Sequence, residues 1–339
     1  DVCSSDLFTS DIHARHHFIK ARIAVNRDGE ILGFDMEDIT GIGPYSMFPR
    51  TSAIEGNQVV NLVGGPYKHK HYRAKLDVVF QNKTPTCQYR GVGHPIACAV
   101  TEALVDLAAQ KIGMDPLRIR ELNVIPDDAY PTAGISGIKL EILSHEASLK
   151  KLRELMNYDA LRAEQVALRK QGIFRGIGFA TVIELTNPSA AFYGVGGARI
   201  ASQDGATVRL DPEGHITVLI GVGEQGQGTE GIYQQIAADA VGVDISKVRV
   251  VTGDTDATPY GGGTWASRGA GIGGEAVLLA GQALRENIVK VAAVILKREV
   301  STLAVRRDRI VDASSGEDLL ALAELGRIAY FRSDTLPAD

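Results

Sequence analysis

Apolar and polar residues alternate in the first part of the chain as they do in β-strands. Residues 18–39 follow an alternating pattern, through Ile19, Ala21, Ile23 and Val25 before the turn-forming residues 26–29 and Ile31, Gly33 and Asp35 after them, and this spacing predicts a hairpin. A further strand is predicted at residues 74–80. A run with helical spacing begins at Pro95, which suits the first turn of a helix, and ends before Gly113, which suits a C-terminal cap.

The middle of the chain is more charged. The dipeptide Asp115-Pro116 predicts the start of a short second helix, and residues 126–140 have the composition of a loop. A charged amphipathic helix is predicted at residues 148–170, followed by a strand at residues 176–184. Because composition and connections change before this helix, we expect a domain boundary near residue 145.

The second half repeats this order of elements. A hairpin, a glycine-rich loop and a helix capped by Gly242 are predicted first, and a short buried strand, a turn-rich loop and a long helix follow. A strand pair and a short helix are expected after Leu303. The predicted ranges are 207–210 and 215–220 for the hairpin, 221–228 and 254–263 for the loops, 248–251 for the strand and 273–298 for the long helix. Since strands and helices mix without a strict βα repeat, the α+β class is favoured.

Length and composition limit the classes of function. A chain of 339 residues is long enough for two domains, predicted as residues 8–145 and 146–339. The net charge of −5 gives no basic surface for nucleic acid, and no apolar run is long enough to cross a membrane. With too few cysteines for a disulfide scaffold, a reducing, cytoplasmic location is expected.

The first seven residues differ in kind from the rest. Residues 1–7, DVCSSDL, match the translation of a common sequencing adapter. We therefore expect them to be an assembly artefact and exclude them from the fold.

The chain has 37 glycines, and two segments are especially rich in them, of which the first is residues 221–231. Here Gly226, Gln227, Gly228 and Thr229 lie between a predicted strand and the start of a helix. Converging backbone N–H groups and the helix dipole suit an anion or a polar heterocycle. A plain turn or a dinucleotide-binding loop are the alternatives, although no acidic residue closes a following strand at the distance that the latter requires.

The second glycine cluster, residues 261–274, also precedes a helix. Ala266, Ser267, Arg268 and Gly269 combine a hydroxyl group and a guanidinium with backbone donors, a set that suits a phosphate because arginine can donate two parallel hydrogen bonds. A polar helix cap with a solvated Arg268 is the alternative. Two such clusters in one domain favour a shared cofactor.

A third segment contains a candidate catalytic side chain. Arg90 lies between Tyr89 and Gly91, just before a predicted helix. An arginine here could extend into a cleft and hold or polarise a substrate oxygen. An arginine that only stabilises its loop is an equal alternative.

Other candidate residues have simpler structural explanations. Asp254 and Asp256 could form an acid–base pair, but a turn flanked by glycine and proline explains them as well. Cys98 is expected in a helix core. Several histidines could indicate a metal site, but their places near strand edges favour solvated side chains: His13, His16, His17, His69 and His71.

Four segments in this order resemble the molybdopterin-binding large subunit of the xanthine dehydrogenase/aldehyde oxidase/carbon monoxide dehydrogenase family. Residues 83–95, KTPTCQYRGVGHP, are similar to the family's K-T-P-T-x-x-Y-R-G-x-G-x-P loop, and residues 111–125 to its D-P-x-x-x-R-x-x-N helix. Residues 221–243 resemble its G-Q-G segment with the following helix. Residues 248–269 resemble its V-x-G-D-T-D…P-x-G-x-G-T-x-x-S-R stretch. The likeness covers nearly everything from about His13 onward.

The resemblance implies two mixed α/β domains with a cofactor and a substrate groove between them. The cofactor is molybdenum held through the dithiolene of a molybdopterin, which hydroxylates a carbon of an aldehyde or N-heterocycle with oxygen from water. Electrons then pass to 2Fe–2S clusters and FAD on a small and a medium partner subunit, in a dimer of heterotrimers. The protein itself supplies no metal ligand.

The resemblance also assigns roles to single residues. It places Gln227, with Gly226, Gly228 and Thr229, against the pterin. It places residues 266–269 on a second cofactor loop, which in bacterial members holds the cytosine dinucleotide form of molybdopterin. Arg90 falls on the arginine that lines the substrate side of the metal.

Two departures from the family pattern matter. The family's catalytic glutamate, in a G-x-G-E-x-P motif, has no counterpart, since Glu224 belongs to the G-Q-G segment; the upstream metal-facing loop has none either. We therefore expect an interior fragment that is incomplete as an enzyme, with a non-catalytic cofactor-binding or maturation-type module as the alternative. Gly91 stands where carbon monoxide dehydrogenases have a copper-binding cysteine, so carbon monoxide is a poor substrate candidate.

Overall fold

The structure is a computed structural model that describes residues 11–48, 51–187 and 203–336. The chain divides into two compact units, Asp1–Glu184 and Leu185–Asp339. Each has its own hydrophobic core. Within the described residues, no helix combines the length and apolar character needed to cross a membrane.

A three-stranded sheet forms the base of the first unit. Strands β1 (His17–Val25) and β2 (Ile31–Gly41) are antiparallel, as the alternating pattern predicts, and β3 (His71–Val79) pairs with β2 in parallel. Helix α1 (Ile54–Leu62) makes the crossover between β2 and β3. Because β2 and β3 are parallel, the loops that follow them leave the same edge of the sheet.

Four more helices and a small ribbon complete the first unit. Helix α2 (His94–Ile112) is capped by Gly113, whose φ of 72° is left-handed and suits glycine, as predicted. Asp115 caps α3 (Pro116–Asn123), because its carboxylate accepts hydrogen bonds from the N–H groups of Leu117 (2.8 Å) and Arg118 (3.2 Å). The remaining elements are β4 (Thr132–Ala133), β5 (Lys139–Leu140), α4 (His145–Leu155) and α5 (Tyr158–Arg169).

Two residues of the D-P-x-x-x-R-x-x-N segment connect parts of the first unit that are distant in sequence. Arg120 is fully buried and donates from Nε to Glu102 at 2.8 Å. Asn123 accepts from the N–H of Ile31 at 2.9 Å and donates to the carbonyl of Gly29 at 2.8 Å, and so it fixes the turn between β1 and β2 to α3. These side chains satisfy buried polar groups and stabilise the unit.

Two features of this region differ from the prediction. The amphipathic segment forms two helices and not one, because the chain turns at Asn157, whose φ of 48° is left-handed. Residues 176–184 form no strand. The chain divides into its compact units after Glu184, because α4 and α5 pack through Leu149 and Tyr158 on the first core, and the domain boundary near residue 145 stays a prediction.

The second unit repeats the arrangement of the first. Strands β6 (Ala206–Leu210) and β7 (Ile216–Ile220) form an antiparallel hairpin, helix α6 (Thr229–Val241) makes the crossover, and β8 (Val248–Val251) pairs with β7 in parallel. The bounds of these elements confirm the predicted hairpin, helix and strand. Gly242, with a φ of 95°, caps α6 as expected.

The long helix of the second unit closes its core. It begins with a π-helical turn at Gly269–Gly273 and continues as α7 (Gly274–Leu296). It packs closely on α6, because a Cβ at Gly281 would lie 2.7 Å from the Cβ of Ala240. Three strands follow where a pair was predicted, and then one helix: β9 (Leu303–Arg306), β10 (Arg309–Asp312), β11 (Asp318–Ala321) and α8 (Leu322–Phe331).

Candidate functional site

Both glycine-rich segments of the second unit lie at one edge of its sheet. Residues 221–228 follow β7, and residues 252–268 follow β8. The carboxyl ends of parallel strands meet at the same edge, and ligands of α/β proteins commonly bind outside that edge. The parallel pairing of β7 and β8 therefore brings the two segments together.

Direct contacts join the two segments. The hydroxyl of Thr264 donates to the carbonyl of Gly223, and the hydroxyl of Tyr233, on α6, donates to the carbonyl of Gly269 at 2.9 Å. A Cβ at Gly221 would lie 2.8 Å from the carbonyl oxygen of Pro259, so only glycine allows this approach of the two chains. The two segments therefore lie together, as the expectation of one shared cofactor requires.

Within the first segment, the side chain of Gln227 is bound by the loop itself. Its Oε1 accepts from the N–H of Gln225 at 2.6 Å, and its Nε2 donates to the carbonyl of Gly223 at 3.1 Å and to the hydroxyl of Thr229. These three bonds hold the loop in one shape. Gln227 is therefore a structural centre of the segment.

The start of α6 is occupied by a carboxylate of the same chain. Glu224 accepts from the N–H groups of Gly228 (3.1 Å) and Glu230 (3.3 Å). Desolvation raises the pKa of Glu224, but the N–H groups of Glu230 and Gly228 lower it more, so that it lies below its usual range. Glu224 thus already binds two of these first-turn donors, and contact of this loop with a cofactor stays a prediction.

Arg268 also differs from the prediction. Its side chain is 1% exposed and forms an ion pair with Asp204, whose side chain is fully buried; it also donates to the carbonyl of Gln203 at 2.8 Å. The guanidinium lies 5.4 Å from the ring of Trp265. It thus anchors its own loop and is not the solvated side chain of the alternative, whereas a contact of Arg268 with a phosphate or cofactor stays a prediction. Asp204 carried no local sequence signal, since it lies 64 residues away.

The backbone of the second segment is strained at two residues. Ala266 and Ser267 have φ values of 55° and 53°, in the left-handed region that residues other than glycine rarely adopt. Such residues often cluster at functional sites, where the surrounding structure holds them in place. Arg268, the next residue, holds this backbone in place through its buried ion pair with Asp204.

The first segment leaves room for a bound group. A Cβ built at Gly226, Gly228 or Gly231 would meet no other atom within 4 Å, so space lies beside the loop. Ser267 of the second segment is exposed. Open space beside two polar, fixed loops fits a large polar cofactor bound through backbone groups.

Arg90 belongs to the first unit, on the loop that connects β3 to α2. Its side chain is exposed. The next residues, Gly91 and Val92, have φ values of 85° and 49°, and for a β-branched residue such a φ is a true outlier. That Arg90 faces a groove between two domains stays a prediction.

The remaining candidates have structural roles. His17 is not solvated: its ring is 5% exposed and lies 2.9 Å from Asp38 and 3.1 Å from Glu55. Asp254 accepts from the N–H of Asp256 at 3.0 Å, as expected of a turn. Cys98 is half-buried on α2. Among residues 11–48, 51–187 and 203–336, no group of three His, Cys, Asp or Glu side chains is placed to hold a metal ion.

Comparison with known families identifies the class of protein. A family model described as "Molybdopterin cofactor-binding domain" matches residues 151–339, and a second with the same description matches residues 4–124. The chain belongs to the molybdopterin-binding large subunits of the xanthine dehydrogenase, aldehyde oxidase and carbon monoxide dehydrogenase family, and the expected resemblance is confirmed. Residues 151–184 fall within the match that covers residues 151–339, although they pack in the first compact unit.

Individual relatives are similar over nearly the whole chain. The nicotine 6-hydroxylase large subunit of Paenarthrobacter nicotinovorans is 29% identical over 96% of this chain. The xanthine dehydrogenase molybdenum-binding subunit of Escherichia coli O157:H7 is 30% identical over 94%. The crystal structure of quinoline 2-oxidoreductase from Pseudomonas putida 86 matches with a TM-score of 0.83 and 31% identity over 98% of this chain. The chain spans 40%, 41% and 42% of these proteins, respectively.

Proposed function

We propose that the protein is the large subunit of a molybdenum hydroxylase that acts on a carbon of an N-heterocycle or an aldehyde, with water as the source of oxygen. The observation that carries this proposal is the meeting of the two glycine-rich segments through Thr264 and Gly223, beside open space. Two relatives are named for N-heterocycles, nicotine and quinoline, which favours that substrate class. When bound, the molybdopterin would supply the redox chemistry and the oxygen transfer.

Several residues of the second unit would hold the cofactor. The open backbone at Gly226 and Gly228 would approach it, with Gln227 and Thr229 keeping these groups in position. The strained backbone of Ala266 and Ser267, together with Gly269, would offer the second set of contacts. In this proposal Arg268 fixes the second loop through Asp204, and the cofactor is the cytosine dinucleotide form.

Arg90 would act on the substrate side. Its exposed guanidinium is a fixed positive charge on a strained loop, suited to stabilise negative charge that develops on a substrate oxygen. Partner subunits that carry 2Fe–2S clusters and FAD would receive the electrons, in a cytoplasmic dimer of heterotrimers. Relatives named as large or gamma subunits of enzyme complexes support such partners.

Two substitutions in the full-length enzyme test these roles. Gln227→Ala removes the side chain that holds the first loop, so molybdenum content should fall, since each lost hydrogen bond costs about 0.5–1.5 kcal/mol. Arg90→Ala should keep the metal and lower turnover of quinoline by about 10²- to 10³-fold. Metal analysis and steady-state rates are the measurements.

Arg118→Ala is the matched control for Arg90, because Arg118 is an exposed arginine of the same unit. Loss of molybdenum in Arg90→Ala, or full metal and full rate in Gln227→Ala, would show that the roles are assigned wrongly. Absence of molybdenum from the wild-type enzyme, expressed with an intact cofactor supply, would refute the proposed function as a whole.

A further inference from the structure

The segment that precedes β1 runs alongside the loop that contains Arg90. The N–H of His13 donates to the carbonyl of Pro85, and the N–H of Cys87 donates to the carbonyl of His13, both at 3.0 Å. This short parallel pairing fixes the two segments to each other. It places the side chain of Arg15, two residues further on, beside residues 89–91.

Arg15 contacts three consecutive residues of that loop. Its guanidinium donates to the backbone carbonyl of Arg90 and lies 5.8 Å from the ring centre of Tyr89. A Cβ at Gly91 would lie 3.4 Å from its Nη2. One hydrogen bond and one cation–π contact thus join Arg15 to the loop at the point where Gly91 and Val92 turn left-handed.

Arg15 is itself anchored to the core of the first unit. The backbone N–H of Arg15 donates to the carboxylate of Glu55 at 3.2 Å. That buried carboxylate also lies 3.1 Å from Nε2 of His17. Arg15 has a φ of 64°, a conformation in which asparagine or glycine would be less strained. The arginine therefore occupies a left-handed backbone position that is unfavourable for it, and such positions often accompany a side chain with a functional role.

We infer that Arg15 is a positioning residue that holds the loop of Arg90, and thereby the direction of the Arg90 guanidinium toward the substrate. The inference rests on the proposed function of Arg90. Arg15 reaches the backbone of the loop and not the reacting atoms. Its loss should therefore misplace a charge-stabilising group without removing it.

The test uses Arg15→Asn, Arg90→Ala and the double variant in the full-length, molybdenum-loaded enzyme with quinoline as substrate. Asparagine tolerates the left-handed backbone, so the fold and the metal content should be kept. Turnover should fall by about 10- to 100-fold, since a displacement of about 1 Å at an active site has effects of this size. The double variant should be no slower than Arg90→Ala alone, because both changes act through one guanidinium.

A second measurement does not depend on activity. The N–H groups of Val92 and His94 donate within the loop, to Tyr89 at 2.6 Å and to Gly91 at 2.9 Å. Their hydrogen exchange should become faster in Arg15→Asn and recover in part in Arg15→Lys, which can still donate to the carbonyl of Arg90.

The control is Arg22→Ala, because Arg22 is a 76%-exposed arginine of β1 that pairs with Asp35. It should leave both measurements unchanged. If turnover is normal in Arg15→Asn but impaired in Arg90→Ala, the inference about Arg15 is wrong while the proposed role of Arg90 stands. The same holds if the double variant is slower than Arg90→Ala by the factor that Arg15→Asn alone produces. Normal turnover in Arg90→Ala would instead overturn the proposed role of Arg90, and the inference with it.

Discussion

The carboxylate of Glu224 accepts a hydrogen bond from the backbone N–H of Gly228, four residues further along the chain, at 3.1 Å. It also accepts from Glu230 at 3.3 Å, so one acidic side chain binds two N–H groups at the start of α6. A carboxylate is stabilised at this end of a helix by the helix dipole. The loop that contains Gly226 and Gly228 thus binds a carboxylate of its own chain, that of Glu224.

Glu224→Ala should release these donors and loosen the loop. We expect faster hydrogen exchange at Gly228 and Glu230, and a lower molybdenum content in the full-length enzyme. Glu224→Gln should keep part of the effect, because an amide oxygen still accepts hydrogen bonds. Since the pKa of Glu224 is lowered on folding, its stabilisation is present above the unfolded pKa and is lost as the pH falls through the folded value. Unchanged exchange in Glu224→Ala, or an equal change in the exposed-turn control Glu213→Ala, would contradict this role.

The ion pair between Arg268 and Asp204 gives a prediction about stability. Asp204→Ala leaves the buried Arg268 without its carboxylate, which should lower the free energy of unfolding by about 3–5 kcal/mol. Replacing both partners, as Asp204→Leu with Arg268→Met, should recover much of the loss. Urea unfolding measures both variants. The control Asp239→Asn, at an exposed position of α6, should change the free energy of unfolding by less than about 0.5 kcal/mol. A loss in Asp239→Asn as large as that in Asp204→Ala would show that the ion pair does not stabilise the fold.

A buried cluster of the first unit should make stability depend on pH. Burial lowers the pKa of His17, but hydrogen bonds to Asp38 and Glu55 raise it more, to about 9 from 6.5. Because the folded pKa lies above the unfolded one, the stabilisation is fully present below about pH 6.5 and is lost as the pH rises through about 9. At 1.36 kcal/mol per pKa unit the loss is about 3 kcal/mol.

The measurement is urea unfolding between pH 6 and pH 10 of the wild type and of His17→Gln. The wild type should lose stability relative to the variant over this range, and the variant should lack this part of the dependence. Parallel pH profiles of the two proteins would show that His17 is not protonated in the folded state.

Two arginines on α3 differ only in their surroundings. Arg120 is fully buried and donates to Glu102 and Asp106 at 2.8 Å, whereas Arg118 is 61% exposed. Arg120→Ala should therefore lower the free energy of unfolding by about 3–5 kcal/mol, and Arg118→Ala by less than about 0.5 kcal/mol. Thermal or urea unfolding of the two variants is the check. Similar losses in both would refute the structural role given to the D-P-x-x-x-R-x-x-N segment.

Local patterns predicted most of the secondary structure. The hairpin of β1 and β2 follows from alternation around a turn, and the ends of α2 and α6 follow from Gly113 and Gly242, because a left-handed cap depends on a single residue. The meeting of the two glycine-rich segments was also predictable, since both sequences showed donors at helix starts. The break at Asn157 was not, because amphipathic spacing continues across it.

The sequence by itself determined the family and the class of fold, and it indicated the loops that we propose bind a cofactor, because motifs of neighbouring residues carry that information. Only the tertiary structure decided which side chains of these loops are available. Arg268 and Glu224 have the charge of ligand-binding residues, but the fold gives one of them a buried carboxylate and the other the N–H groups of a helix start. A charged side chain binds the partner that the fold brings nearest, and for Arg268 this is Asp204, 64 residues away in the chain.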